Sequence, residues 1–251
     1  MRRAGPAFAL AGALALACGL VHPGPALAAP DSLSGKVIVI DPGHQLGNAN
    51  PAFAKQMAQT KFNGAYAKQC NTTGTATNKG YPEATFTWGV GNELRRLLEA
   101  RGAKVVMTRS TNSRDDWGPC TWDRAAIATK AKADAMISIH ADGAPSSSKG
   151  FFAIVPTVIK GYTDDVVHAD RRLSTDMVAG MKAAGAPPSN YMRDQIMVSS
   201  IMTTINLSDV PTTIVELGNM RNSREAQRMS TKAGQAQYAQ WLLAGLEHHF
   251  A

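Results

Sequence analysis

Two histidines and two glutamates, His44, His140, Glu83 and Glu216, are the residues of this chain whose types and placement suit hydrolysis. Neutral imidazole nitrogens and a carboxylate oxygen hold Zn2+ tetrahedrally and leave a fourth position for water. Water in that position ionises with a pKa of about 7. A further carboxylate, not itself a ligand, must then accept its proton and later deliver one to a leaving amine. Glu216 is the candidate for that work, and His44, Glu83 and His140 are the candidate ligands. Taken singly, each has a plainer reading. A histidine at a strand end can be an ordinary satisfied polar residue. A glutamate in the first turn of a helix complements the dipole, and Glu216 could be a cap or an ion-pair partner.

The joint arrangement comes from the elements that carry these residues. Lys36-Val37-Ile38-Val39-Ile40 is a β-branched run, expected to be a strand buried on both faces, and it runs into Asp41-Pro42-Gly43-His44. Ala135-Met136-Ile137-Ser138-Ile139 ends in His140, and Thr212-Thr213-Ile214-Val215 hands over to Glu216. In open α/β sheets, ligands bind outside the carboxyl ends of the strands, so parallel pairing would bring these three positions together. Glu83 lies in the first turn of a helix expected over residues 82–101. Phe86, Val90, Leu94, Leu97 and Leu98 fall at helical spacing there, with Pro82 in the first turn and Gly102 as a cap.

The remaining chain continues the alternation. A strand is expected over 103–108, a helix opened by Asp123 as N-cap and running to about residue 133, and a strand over 151–155. Helices follow over 165–184, 224–230 and 234–248. Strands alternating with helices imply one α/β domain with a central twisted, mostly parallel or mixed sheet flanked by helices on both faces. Residues 45–80, rich in Asn, Thr, Ala and Gly, show almost no apolar periodicity and read as a long functional or mobile loop. His168, His248 and His249 lie in polar helical surroundings and read as solvated.

Arg2 and Arg3, the apolar run over 7–21 and the small residues Ala26-Leu27-Ala28 have the layout of a secretory signal peptide cleaved after Ala28. The domain division is therefore 1–28 for the leader and 29–251 for the folded protein, secreted to the periplasm or cell wall. The apolar run is too short for a spanning helix, so no stable membrane insertion is expected after cleavage. Cys70 and Cys120 are then the two cysteines left, in a compartment where disulfides persist, and they are expected to pair. Such a bond would tether the 45–80 excursion to the loop carrying Cys120. The net charge, +7 on the full chain and 7 − 2 = +5 without Arg2 and Arg3, is diffuse, without the basic run or aromatic platform of a nucleic-acid binder; it favours anionic surfaces.

The blocks Val39-Ile40-Asp41-Pro42-Gly43-His44, Ser138-Ile139-His140-Ala141 and Val215-Glu216-Leu217-Gly218-Asn219 together resemble the zinc-dependent N-acetylmuramoyl-L-alanine amidases. The resemblance runs from about Lys36 to Leu246. It implies Zn2+ held by His44, Glu83 and His140, and Glu216 as general acid/base. It also implies hydrolysis of the amide between the lactyl group of N-acetylmuramic acid and the L-alanine of the stem peptide, in peptidoglycan or muropeptide fragments. Gln45-Leu46 and Asp142 depart from the glycines and the asparagine common at these places. A monomer is expected, constitutively open, with no added regulatory helix. The competing readings are a zinc peptidase cutting within the stem peptide and a non-catalytic wall-binding protein.

Overall fold

The computed structural model describes Met1 and residues 31–251; the expected leader lies outside the described residues. The chain runs β1 (Val37–Pro42), two short 3-10 turns, α1 (Ala54–Met57), β2 (Thr60–Phe62), β3 (Ala67–Gln69), α2 (Glu83–Glu99) and β4 (Lys104–Met107). It continues with α3 (Thr121–Ala131), β5 (Ala135–Asp142), β6 (Phe152–Pro156), α4 (Val167–Ala183) and β7 (Ile196–Ser199). It closes with α5 (Thr203–Asn206), β8 (Thr212–Asn219), α6 (Ser223–Met229) and α7 (Lys232–Phe250).

Six strands form one sheet in the order β4-β1-β5-β8-β6-β7. β4, β1, β5 and β8 are mutually parallel; β6 runs antiparallel to β8, and β7 parallel to β6. The expected mostly parallel, mixed sheet is therefore present. The reversal has a local cause: residues 143–151 join β5 to β6 without a helix, and a parallel crossover needs a dozen or more residues. Strand β7, four residues on the sheet edge, was not anticipated, because so short a run carries no period.

Alternation along the strands divides the core between two faces. Ile38, Ile40, Ile137, Ile139, Val215 and Leu217 pack under α2, α4 and α7. Val39 and Met136 point the other way, onto Ala128 of α3 and Val210, while Ile154 and Ile214 meet Ile205 of α5. Helix α2 buries Phe86, Val90, Leu94, Leu97 and Leu98, each contributing about 1.5–3 kcal/mol of apolar transfer.

Several boundaries differ from the expected ones for identifiable reasons. Pro82 is the N-cap of α2 rather than a first-turn residue. Helix α3 begins two residues before Asp123: Cys120 is its N-cap, and Asp123 reaches back to accept the Cys120 N–H at 3.2 Å. Residues 45–80 are not a featureless loop, since they contain the turns, α1 and the β2–β3 hairpin. His249 is not solvated: its Nδ1 lies 2.8 Å from Asp176 Oδ2, a partner on α4 that no local pattern reveals. The expected disulfide is present between Cys70 and Cys120, and the Thr121 N–H donates to the Cys70 carbonyl beside it at 2.8 Å.

Candidate metal centre and catalytic pocket

β1 delivers His44 through a tightly braced turn. The Gly43 N–H donates to the Ile139 carbonyl of β5 at 2.9 Å, which holds the turn against the neighbouring strand. Gly43 is required here by space: a Cβ would collide with the His140 ring. His44 itself has φ of 60°, a left-handed conformation costly for a residue with a side chain. Its carbonyl accepts from Arg124 Nη2 at 2.8 Å, and Arg124 Nη1 reaches Asp41 Oδ1 at 2.7 Å and the Pro42 carbonyl at 2.8 Å. Arg109 Nε adds a second bond to the Pro42 carbonyl, 2.9 Å.

Arg124 is 1% exposed and Asp41 likewise 1%, so the pair survives only because every oxygen of Asp41 is matched. Thr108 and Ser138 hydroxyls donate to its carboxylate, each at 2.6 Å. Burial would raise the Asp41 pKa, but Arg124 and the two hydroxyls outweigh it and hold the carboxyl below its ordinary value. Burial, with help from the Arg124 charge, pulls Arg109 down to about 9. Sequence reasoning missed this network. Its only trace is a charged residue, Asp41, at the end of an otherwise apolar strand.

His44 Nδ1 lies 2.9 Å from the Thr72 carbonyl, which can only accept, so Nδ1 carries a proton. That leaves Nε2 turned toward Glu83 Oε2, 3.2 Å away. His140 Nδ1 lies 2.9 Å from Glu83 Oε1. The Glu83 carboxylate is held by backbone as well: the Thr75 N–H donates to Oε2 at 2.8 Å and the Ala141 N–H to Oε1 at 3.1 Å. Burial would raise its pKa, yet the charges and hydrogen bonds of His44 and His140 drive it far below the usual carboxylate range. His44 responds in kind: burial disfavours its proton, Glu83 and the Thr72 carbonyl favour it, and the balance lies upward.

One donor atom each from His44, Glu83 and His140 lies within 4.8 Å of the others. Two imidazole nitrogens and one buried carboxylate suit a tetrahedral divalent ion with one position open. Gly74, from the 45–80 excursion, closes over this cluster; a Cβ there would come 2.7 Å from both Glu83 Oε2 and the His44 ring.

Glu216 stands opposite His140 in the β5–β8 register. It lines the same pocket of about 310 Å3 as His44, Glu83 and His140. Its Oε2 is buried without a hydrogen-bond partner. Burial, followed by the negative charges of Glu83 and Asp142, pushes its pKa well above the ordinary value. β8 continues past Glu216 to Asn219, so this residue lies within a strand rather than at its end; the same holds for His140 in β5. Asp142 lines the same pocket, and behind it the Tyr191 hydroxyl donates to Asp142 Oδ2 at 2.8 Å. Tyr191 lies outside every motif in the sequence, and only the fold reveals it.

The N-acetylmuramoyl-L-alanine amidase family Amidase_3 matches residues 38–248. The chain belongs to this family. It is an N-acetylmuramoyl-L-alanine amidase, as the resemblance of its three motif blocks implies. The amidase is 36% identical to the N-acetylmuramoyl-L-alanine amidase Rv3717 of Mycobacterium tuberculosis over 225 residues, covering 88% of this chain and 89% of that protein. Among solved structures, the amidase Ami1 of Mycobacterium smegmatis superposes with a TM-score of 0.79 at 30% identity, covering 87% of this chain and 98% of that one. The apo form of Ami1 from Mycobacterium abscessus gives 0.77 at 32% identity, with 87% and 100% coverage. No helix among the described residues of the amidase is long and apolar enough to cross a membrane.

Proposed function

We propose that the amidase is a zinc enzyme in which His44, Glu83 and His140 hold the ion and Glu216 is the general acid/base. The observation that carries this reading is the orphaned, buried Oε2 of Glu216, facing a cluster of three donor atoms in one pocket. A buried carboxyl whose pKa is raised and whose Oε2 has no partner inside the protein is poised to exchange a proton with a ligand. Bound zinc supplies Lewis acidity toward the scissile carbonyl and lowers the pKa of water to about 7.

The protein's own groups do the rest. The Thr72 carbonyl fixes the His44 tautomer and presents Nε2 to the site, and the Thr75 and Ala141 N–H groups orient Glu83. Glu216, unencumbered by any hydrogen bond at Oε2, takes a proton from the attacking water and gives one to the alanine nitrogen as it departs. The substrate is peptidoglycan or its muropeptide fragments, cut between the lactyl carbonyl and L-alanine. Residues 1–28 act as the export leader, 29–251 form the catalytic domain, and the enzyme works as a monomer in the periplasm or cell wall.

Digestion of purified muropeptides followed by mass analysis tests this reading. The expected product is a sugar bearing a free lactyl carboxylate together with an intact stem peptide. Exhaustive chelation abolishes the reaction, and stoichiometric Zn2+ restores it. Cleavage within the stem peptide would indicate a peptidase, binding without any cleavage a wall-binding protein, and full activity after chelation would remove the ion from the chemistry.

A further inference from the structure

His44 faces two atoms of Thr72, and they ask opposite things of its ring. The Thr72 carbonyl, 2.9 Å from Nδ1, only accepts hydrogen bonds and so keeps the proton on Nδ1. The Thr72 hydroxyl, 3.2 Å from the same nitrogen, is also able to donate. Were it to donate, the ring proton would sit on Nε2, which lies 3.2 Å from Glu83 Oε2 and has a ready acceptor there. Both arrangements satisfy the ring, but only the first leaves a lone pair on Nε2 for a metal ion.

Asn48 engages the same carbonyl. It lies in the 3-10 turn Leu46–Ala49 that follows His44, and its Nδ2 donates to the Thr72 carbonyl at 2.7 Å. Its own N–H donates to the Gln45 carbonyl at 3.1 Å, which ties the turn back to the residue after His44. Two donors four positions apart therefore converge on one carbonyl, which has a lone pair for each. The other half of the amide is idle: Asn48 is 6% exposed and its Oδ1 is buried without a partner. A buried polar atom left unsatisfied costs stability, so packing alone does not account for an asparagine here. The Thr72 carbonyl would keep its His44 donor if residue 48 were apolar, so the fold does not depend on the amide.

We propose that Asn48 is a positioning residue for the metal centre: it holds the Thr72 carbonyl against His44 Nδ1 and thereby selects the ring tautomer whose Nε2 binds the ion. This rests on the reading that makes His44, Glu83 and His140 the ligands. Without the Asn48 bond, the Thr72 hydroxyl competes with the carbonyl for Nδ1. Molecules carrying the proton on Nε2 are closed to metal, and the apparent affinity falls by the fraction of the competent form that is lost.

Three variants test this: Asn48→Leu, Thr72→Val and the two combined. Zinc affinity is measured by competition with a chromogenic chelator, and the stability of the metal-free protein by thermal unfolding. Asn48→Leu should weaken zinc binding by about tenfold, the scale of losing a group that orients a ligand, without lowering the metal-free midpoint. Thr72→Val removes the competing hydroxyl and keeps the carbonyl, so it should bind zinc as tightly as the parent. In the double variant most of the lost affinity should return. A merely structural Asn48 would lower the midpoint and give no such rescue. If the midpoint does fall in Asn48→Leu, the double variant still decides, because Thr72→Val has no means of repairing a packing defect. Unchanged zinc affinity in Asn48→Leu, or no recovery in the double variant, overturns the proposal. A parent that binds no zinc overturns the ligand reading along with it, whereas a parent that binds zinc no better than Asn48→Leu overturns this proposal alone.

Discussion

Glu216 and the two histidines differ in what their removal should do. Glu216→Gln keeps the shape of the side chain and loses its proton exchange, so activity should fall by about 10²- to 10⁴-fold while bound zinc, measured by elemental analysis, stays near one per chain. His44→Ala and His140→Ala should lose metal and activity together. Equal metal loss in all three variants would move Glu216 into the ligand set. Asp170 offers a stability test away from the site. It is buried on α4, its Oδ1 accepts the Thr212 N–H at 2.7 Å, and its Oδ2 has no partner. Burial, only partly offset by that N–H, pushes its pKa from 3.8 to about 7. Because the folded state holds the proton more tightly than the unfolded chain, the associated stability is complete below about pH 4 and is lost as pH rises through about 7. Asp170→Asn keeps the acceptor and removes the titration. The difference in unfolding free energy between variant and parent should therefore shift in the variant's favour between about pH 4 and 7, read from urea unfolding across that range.

At the scale of elements, the turn after β1 is the part of the site most dependent on support from elsewhere. His44 adopts its left-handed backbone in a frame made by Arg124 of α3, Asp41 of β1, Ser138 of β5 and Thr108 just beyond β4. Arg124→Met leaves the Asp41 charge buried without a counterion and should cost about 3–5 kcal/mol, the range for breaking one side of a buried pair. The same substitution combined with Asp41→Asn should cost less than Arg124→Met alone, and denaturant unfolding of the two variants decides the sign. The sequence shows these elements better than it shows their supports. The apolar runs of β1, β5 and β8 and the helical spacing of α2 are local and strong, so their positions and the residues they carry were legible. β7 and the hairpin within 45–80 were not, because strands of three or four residues owe their existence to the neighbours they pair with.

Across the whole molecule, the 45–80 excursion forms part of the catalytic pocket rather than lying beside it. It supplies Thr72 to His44, Thr75 to Glu83 and Gly74 to the pocket wall, and the Cys70–Cys120 bond ties it to the start of α3, spanning 50 positions. The chain-entropy view gives about 4 kcal/mol for a closure of this length, an upper figure. Replacing both cysteines with alanine should lower the thermal midpoint and weaken zinc affinity together, since the loop that orients two of the three ligands is then loose. A lowered midpoint with unchanged zinc affinity would show that the loop holds its place without the bond.

The sequence by itself determined the chemistry available: two imidazoles and two carboxylates, placed on or beside strands whose buried faces are written in β-branched runs and at the start of a helix with a clear apolar period. Those features are local, because hydrophobic period and residue type act within a few positions of where they are read. Only the tertiary structure decided that Arg124 would brace the His44 turn and that Tyr191 would engage Asp142. Each of those contacts joins residues far apart in the chain, and their distances are set by the packing of helices on a sheet rather than by any spacing in the sequence.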